Sequence, residues 1–222
     1  MKKYFYFLFA IVCIVAIATS CKKSSYLTDD GLHNAKTSLT TYEYLRQHPW
    51  KLFDTLIMIV DKFKMAEELN QAGTFFAPTN YSINNYMTLR KNQLRLYDPN
   101  AQYNMDSLYK DITKDSVRQY LFKEQITLKD AQEDAVPYKS LANTSMAVVK
   151  NIQTGNGNFT QWTSGDTYLL SLIKVRGALD QPNVIPPQNE IDIKVLCQTT
   201  GIETSSGGIL HVLSNSHTFV RF

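Results

Sequence analysis

The chain has 222 residues, of which 44% are hydrophobic and 19% charged, a balance typical of a globular domain with a full core. Its 23 basic and 20 acidic side chains give a net charge of +3, and the sequence holds no long block of like charges. The composition excludes a disordered or fibrous chain, and it argues against nucleic acid as a partner.

The N-terminus has the layout of a secretory signal. Lys2 and Lys3 precede the apolar run Tyr4–Ala18, and small residues then lead to Cys21. The apolar run has about 15 residues, which is short for a membrane-spanning helix of roughly 20. We therefore expect residues 1–20 to be a signal peptide.

Cys21 decides how the mature protein is held at the membrane. The stretch IATSC resembles a bacterial lipobox, whose cysteine is lipidated and becomes the new N-terminus, although Ala18 stands where leucine is usual. This interpretation predicts an outer-membrane lipoprotein, facing the periplasm or exposed at the surface. The alternative is ordinary cleavage after Ala18-Thr19-Ser20, which also fits a small-x-small rule and leaves a secreted or periplasmic protein.

The segment that follows is polar and aperiodic. Residues 21–38 are therefore predicted to comprise the lipidated Cys21 and a flexible tether that holds the domain off the bilayer. One folded domain is expected over residues 39–222.

Cysteine usage leaves no pair for a disulfide within that domain. Cys13 lies in the signal and Cys21 at its end, so Cys197 is the one that remains. It lies in the strand-like run IDIKVLCQ, where a lone cysteine is typical of a small buried apolar residue. We expect Cys197 to be structural rather than a nucleophile.

Helices are expected first in the domain. Thr40 and Glu43 form a capping-box pattern that begins a helix, and Pro49 ends it. A second helix is predicted from about Trp50, because apolar residues recur there at helical spacing.

The stretch GTFFAPTN, residues 73–80, predicts a strand that turns directly into a helix. Its Thr-Phe-Phe run favours a strand, and Pro78 then removes a backbone donor. Thr79 or Asn80 supplies the side-chain oxygen that caps the following helix.

The rest of the domain is predicted to be rich in strands after one more helix, ITKDSVRQYLF. The proline-rich residues 181–190 are expected to form a loop. The pattern indicates an α+β fold, with a mixed β-sheet or sandwich flanked by the N-terminal helices. The expected strands are NTSMAVVKNI, GNFTQWT, TYLLSLIKVRGAL, EIDIKVLCQ, GILHVL and HTFVRF.

Two separated stretches resemble the signature segments of fasciclin-like domains. TFFAPTNYSINNYM is similar to the first, and GGILHVLSNSHTF to the second. Two motifs in the right order are more specific than either alone, and the resemblance implies a fasciclin-like fold over nearly the whole mature chain. We call these stretches the first and second motif segments. The matching residues are Thr74, Phe76, Ala77, Pro78, Thr79 and Asn80 in the first and Gly208, Ile209, His211 and Val212 in the second.

The sequence departs from the family pattern in two motifs. The region SVRQYLFKEQI contains Tyr120 but lacks the histidine of the family's Tyr-His pair. Ser214 stands where the second motif often has aspartate, so the integrin-type recognition described for animal members is not carried over.

Residues 89–107 are interpreted as a helical insertion after the first motif. Insertions on a scaffold are natural places for a partner site. Tyr81, Tyr86, Tyr97, Tyr103 and Tyr109 are concentrated around it, and one interpretation is an aromatic surface, with Tyr97, Tyr103 and Tyr109 as its candidates, that binds a protein or a glycan. The alternative is that these tyrosines pack against the sheet.

His211 and His217 are the candidates for chemistry. Strand alternation places His211 on one face with Ile209 and Leu213, and so predicts that it is partly buried. One interpretation is a metal ligand or general base. The other, which the motif match favours, is a hydrogen-bonded structural histidine.

No common catalytic, zinc-protease or phosphate-loop motif occurs in the sequence, so we expect no enzyme, no metal and no cofactor. The resemblance implies a non-enzymatic binding or adhesion module, anchored to the envelope by lipid, that contacts a protein or a glycan. The alternative is an accessory lipoprotein of an outer-membrane nutrient-uptake complex.

Overall fold

The computed structural model describes residues 35–153 and 167–221. The predicted signal peptide, Cys21 and most of the tether lie outside the described residues, as does the predicted strand GNFTQWT. In the described ranges, no helix is long and apolar enough to cross a membrane.

Six helices occupy the first half of the described residues. α1 begins as predicted, because the Thr40 hydroxyl and the Glu43 carboxylate form the capping box. α2 begins at Asp54 rather than near Trp50, because Lys51 has a positive φ of 50° that no α-helix accommodates. The helices are α1 (Thr41–Arg46), α2 (Asp54–Phe63), α3 (Ala66–Gln71), α4 (Asn80–Arg95), α5 (Met105–Asp111) and α6 (Lys114–Arg118).

The predicted strand-to-helix corner in residues 73–80 is confirmed. The Thr79 side chain caps α4 by accepting a hydrogen bond from the Ser82 N–H. α4 continues to Arg95, so the beginning of the predicted insertion is the end of this helix. The helix predicted over ITKDSVRQYLF is shorter than expected, because the chain enters a strand at Leu121.

The strands form one mixed sheet in the order β3-β2-β8-β7-β6-β5-β4, with β1 paired to β7 outside that path. β2–β8 and β1–β7 are parallel pairs, and the other pairs are antiparallel. The strands are β1 (Ala35–Lys36), β2 (Thr74–Ala77), β3 (Leu121–Phe122), β4 (Val136–Lys139), β5 (Ser145–Gln153), β6 (Thr167–Lys174), β7 (Ile193–Glu203) and β8 (Ile209–Leu213).

The two ends of this strand order approach each other. The Leu141 N–H, just after β4, donates to the Leu121 carbonyl of β3 at 2.8 Å. The sheet is therefore barrel-like and nearly closed, which removes most of its exposed edge. The prediction of a mixed α+β fold is confirmed, with one curved sheet in place of a sandwich.

Several strand predictions differ from the structure, and β1 and β3 lie in residues that were predicted to be tether and helix. Residues 217–221 of the predicted strand HTFVRF form a turn with a single bridge between Thr218 and Arg221, and Val220 has a positive φ of 65° that interrupts any strand. β4 was not predicted, because it contains Pro137, which lacks a backbone donor. The strand still forms because β4 lies at the end of the strand order, where a missing donor is tolerated. Residues 181–190 form no strand, as predicted.

β8 lies at the centre of the core. All five of its residues are buried, because both faces of the strand are covered. His211 is therefore fully buried at 0% exposure, rather than partly buried as predicted. Cys197 on the neighbouring strand β7 is also buried, as predicted.

Candidate functional site

The two motif segments pair directly with each other. Thr74 lies beside Ile209, Phe76 beside His211 and Ala77 beside Val212 in the parallel β2–β8 pair. The Phe76 and His211 rings stack with centroids 4.8 Å apart. The strand residues that carry the family resemblance thus lie on two adjacent, fully buried strands.

His211 binds backbone groups through both ring nitrogens. Its Nε2–H donates to the Ile126 carbonyl at 2.8 Å, and its Nδ1 accepts from the Gly201 N–H at 3.2 Å. A carbonyl only accepts and an amide only donates, so the ring is neutral with its proton on Nε2. Burial lowers the pKa of His211 to about 4. This arrangement is that of a structural histidine, with no nitrogen left to ligate a metal or accept a proton from a substrate.

His217 has a different environment, and its hydrogen-bond partners are not those of His211. It shares a hydrogen bond of 2.8 Å with the Tyr120 hydroxyl, which accepts from the Val220 N–H at 3.0 Å. Burial lowers the pKa of His217 to about 4. Tyr120 and His217, which are 97 residues apart in sequence, are therefore direct neighbours in space.

Thr74 fixes a loop to the first motif segment. Its hydroxyl donates to the Glu124 carbonyl and accepts from the Ile126 N–H, both at 2.7 Å. Because Ile126 also receives the His211 hydrogen bond, one loop residue connects both motif segments.

The end of the first motif segment holds two turns. After Pro78, the Thr79 hydroxyl donates to Asn215 Oδ1 at 2.9 Å. Asn80 Oδ1 accepts from the Thr55 N–H at 2.8 Å, and its Nδ2 donates to the Lys51 carbonyl at 2.7 Å. These side chains position the turn before α2 and the turn after β8.

Gly208, at the start of the second motif segment, lies where a side chain has no room. A Cβ at this position would lie 2.8 Å from the Ala72 carbonyl oxygen. The close approach of the chain before β2 to the chain before β8 therefore requires glycine here.

The three tyrosines predicted to form a binding surface have different environments. Tyr97 is 91% exposed. Tyr103 and Tyr109 are half-buried against the core, and the Tyr103 hydroxyl donates to Asp111 at 2.8 Å. Of the three, Tyr97 is the exposed one, so the structure does not bring them together as one open aromatic face.

A cleft of about 710 Å³ lies beside the motif segments, and we call it the aromatic cleft. It is bounded by α1, the turn before α2, the start of α4, strand β7 and the end of β8. Asn80 and Val212 from the two motif segments both contribute to its lining. Its lining includes Tyr44, His48, Trp50, Tyr81, Gln198 and Asn215.

Two exposed aromatic rings line the aromatic cleft. Trp50 is 84% and Tyr81 57% exposed, which is unusual for side chains of this size. The His48 ring packs edge-on against Trp50 and Phe53, with centroids 5.7 Å and 5.1 Å away. Burial lowers the pKa of His48, so this ring is neutral near pH 7.

Amide side chains also line the aromatic cleft. Asn215 Oδ1 accepts from the Thr79 hydroxyl and, at 3.4 Å, from Gln198 Nε2. In the described part of the chain, Asn215 Nδ2 and Gln198 Oε1 have no hydrogen-bond partner. One donor and one acceptor are therefore open to a ligand.

Sequence reasoning missed the aromatic cleft because it assigned Trp50 to the start of a helix. The available signal was Pro49, which ends α1 and separates Trp50 from the helix before it. Gln198 and Asn215 are far from Trp50 in sequence, and only the sheet brings them near it.

No protein-family model and no curated protein matches the sequence. Within the ranges that the structure describes, no three side chains of His, Cys, Asp or Glu are grouped to hold a metal ion.

Proposed function

We propose that the chain is a fasciclin-like, non-enzymatic binding module, held at the bacterial outer membrane by lipid on Cys21. It contacts an envelope protein or glycan through the aromatic cleft. The observation that carries this proposal is that the exposed rings of Trp50 and Tyr81 line the same cleft as the open amide groups of Gln198 and Asn215. Aromatic rings of this kind are enriched where proteins bind partners.

The pairing of the motif segments supports the family part of this proposal. Two stretches far apart in sequence, each resembling a family signature, lie side by side as β2 and β8. The helices α1, α2 and α3 precede the first motif segment, as the resemblance implies.

The environments of the reactive side chains support a non-catalytic role. His211 is occupied by two backbone groups, and His217 is buried beside Tyr120. Burial raises the pKa of the Cys197 thiol well above its usual range, which opposes formation of the nucleophilic thiolate.

The binding role is tested by recovering the tagged full-length protein from its own envelope in a gentle detergent. We expect a discrete copurifying protein or glycan that is lost in Trp50→Ala. Tyr97→Ala is the matched control, because it removes an exposed ring outside the aromatic cleft and should leave the partner bound.

The same experiment has two outcomes against the proposal. Loss of the partner in Tyr97→Ala but not in Trp50→Ala would show that the partner binds the predicted insertion, residues 89–107, instead of the aromatic cleft. A partner that is an outer-membrane transporter, bound independently of Trp50, would favour the accessory role in nutrient uptake.

The lipid anchor is tested separately with Cys21→Ser. We expect the wild-type protein to incorporate a labelled fatty acid and to partition into detergent, and the variant to lose both properties. Equal partitioning of the two proteins without label would favour ordinary cleavage and overturn the anchor.

A further inference from the structure

We infer that the ligand of the aromatic cleft is a neutral saccharide, with a sugar ring against Trp50 or Tyr81 and its hydroxyls bonded to Asn215 and Gln198. This inference rests on the proposed function and narrows its partner from a protein or glycan to a glycan.

The mixed chemistry of the aromatic cleft fits a sugar ring. A pyranose presents C–H groups on its faces and hydroxyls around its rim, so it needs an aromatic surface flanked by hydrogen-bonding groups. Trp50 and Tyr81 provide the aromatic surface. Asn215 Nδ2 can donate a hydrogen bond to a sugar hydroxyl, and Gln198 Oε1 can accept one. A hydroxyl suits both groups, because it can accept and donate hydrogen bonds.

The size of the aromatic cleft also favours a small ligand over a protein surface. Its volume of about 710 Å³ lies within the range of small-molecule sites, which is roughly 300–1,000 Å³. A stable protein partner typically covers about 800 Å² of flat surface on each side. A cleft with polar groups inside it is better matched by the end of a glycan chain.

The charge of the aromatic cleft indicates an uncharged ligand. Among the described side chains that line the cleft, Lys51 contributes the one formal charge, since His48 is neutral. Recognition of a sulfated or acidic polymer depends on several clustered cations.

The open groups are held in position by the first motif segment. The Thr79 hydroxyl fixes the oxygen of Asn215, and this leaves the amide nitrogen oriented away from Thr79. Asn80 holds the turn that carries Trp50, through the Lys51 carbonyl and the Thr55 N–H. Such support lowers the entropy lost on binding.

The test uses the fluorescence of Trp50. The chain has two tryptophans, so Trp162→Phe in the full-length protein leaves Trp50 as the only one. The protein is purified in a detergent without a sugar headgroup and titrated with soluble neutral oligosaccharides of glucose, galactose, mannose or N-acetylglucosamine. We expect a saturable change in emission with at least one of them, equal at low and high salt.

Asn215→Asp is the most specific variant. It keeps the oxygen that accepts from Thr79 and replaces the open amide donor, so we expect at least about tenfold weaker binding with the denaturation midpoint retained. Tyr97→Ala, measured in the same background, should bind as the unmodified protein does. Equal affinity of Asn215→Asp, or binding that disappears at high salt, would overturn the inference.

The outcomes separate this inference from the proposed function. If no saccharide changes the emission but Trp50→Ala still loses an envelope protein in the copurification, the saccharide is wrong and the binding module stands. If the result of neither experiment depends on Trp50, both the saccharide inference and the proposed binding module are wrong.

Discussion

Phe76 and His211 lie opposite each other in the parallel pair of β2 and β8, with their rings 4.8 Å apart and inclined by 23°. One residue comes from each motif segment, so this contact joins distant parts of the chain at the centre of the core. Because His211 also binds Gly201 and Ile126, it connects β8 to β7 and to the loop after β3. The motif residues therefore stabilise the scaffold, and the aromatic cleft lies at its rim.

Thr74→Val should destabilise the fold by about 2–3 kcal/mol. The isosteric change removes the hydroxyl and leaves the Glu124 carbonyl and the Ile126 N–H without this partner. Thr74→Ser keeps the hydroxyl and loses only a buried methyl, so it should cost about 1 kcal/mol. Denaturant unfolding measures both, and equal costs for the two variants would contradict the hydrogen-bonding role.

Stability should fall as the pH is lowered from 7 to 5. The folded-state pKa values of His211 and His217 are about 4, below the value of about 6.5 in the unfolded chain. The unfolded state therefore binds more protons in this window, and each histidine should lower the free energy of unfolding by about 2 kcal/mol. The stability that the two neutral histidines contribute should be lost completely once the pH falls below their folded-state pKa of about 4.

NMR titration of the two histidine rings in the folded protein provides the direct check. We expect no protonation of either ring above about pH 5. A folded-state pKa near 6.5 for His211 would show that its two backbone partners do not hold it neutral.

Gly73→Ala should be severely destabilising, by about 3 kcal/mol or more. A Cβ at Gly73 would lie 2.1 Å from the Lys123 carbonyl oxygen, and backbone atoms cannot move aside cheaply. Gly207→Ala is the matched control, because a Cβ there meets nothing within 4 Å. Its φ of +84° alone should cost about 1 kcal/mol, and thermal unfolding should rank the two variants in this order.

Cys197 should be unreactive in the folded protein. It is 3% exposed, and burial raises the pKa of its thiol. In a full-length chain with Cys13→Ser and Cys21→Ser, a thiol-reactive dye should label Cys197 only after denaturant is added. Stoichiometric labelling without denaturant would show that β7 opens readily.

Local signals in the sequence predicted many elements correctly. The capping box of Thr40, the cap by Thr79 and the burial of Cys197 each depend on a few neighbouring residues. The errors occurred where a distant contact overrode the local pattern. His211 was expected to be partly buried by strand alternation, but neighbouring elements cover both faces of β8.

The candidate site was less predictable than the fold. Tyr97, Tyr103 and Tyr109 were grouped by their closeness in sequence, but Tyr109 on α5 and Tyr103 just before α5 pack against the core. The aromatic cleft combines Trp50 with Gln198 instead, and no sequence pattern links these residues.

The sequence by itself determined the helix caps, the strand-to-helix corner and the mixed α+β class, because hydrogen bonding and periodicity act over a few residues. Only the tertiary structure decided that the two motif segments pair as β2 and β8 and that the sheet nearly closes. It also decided that Trp50 and Asn215 line the same cleft. Such contacts depend on the register of strands far apart in the chain, and local propensity carries no information about that register.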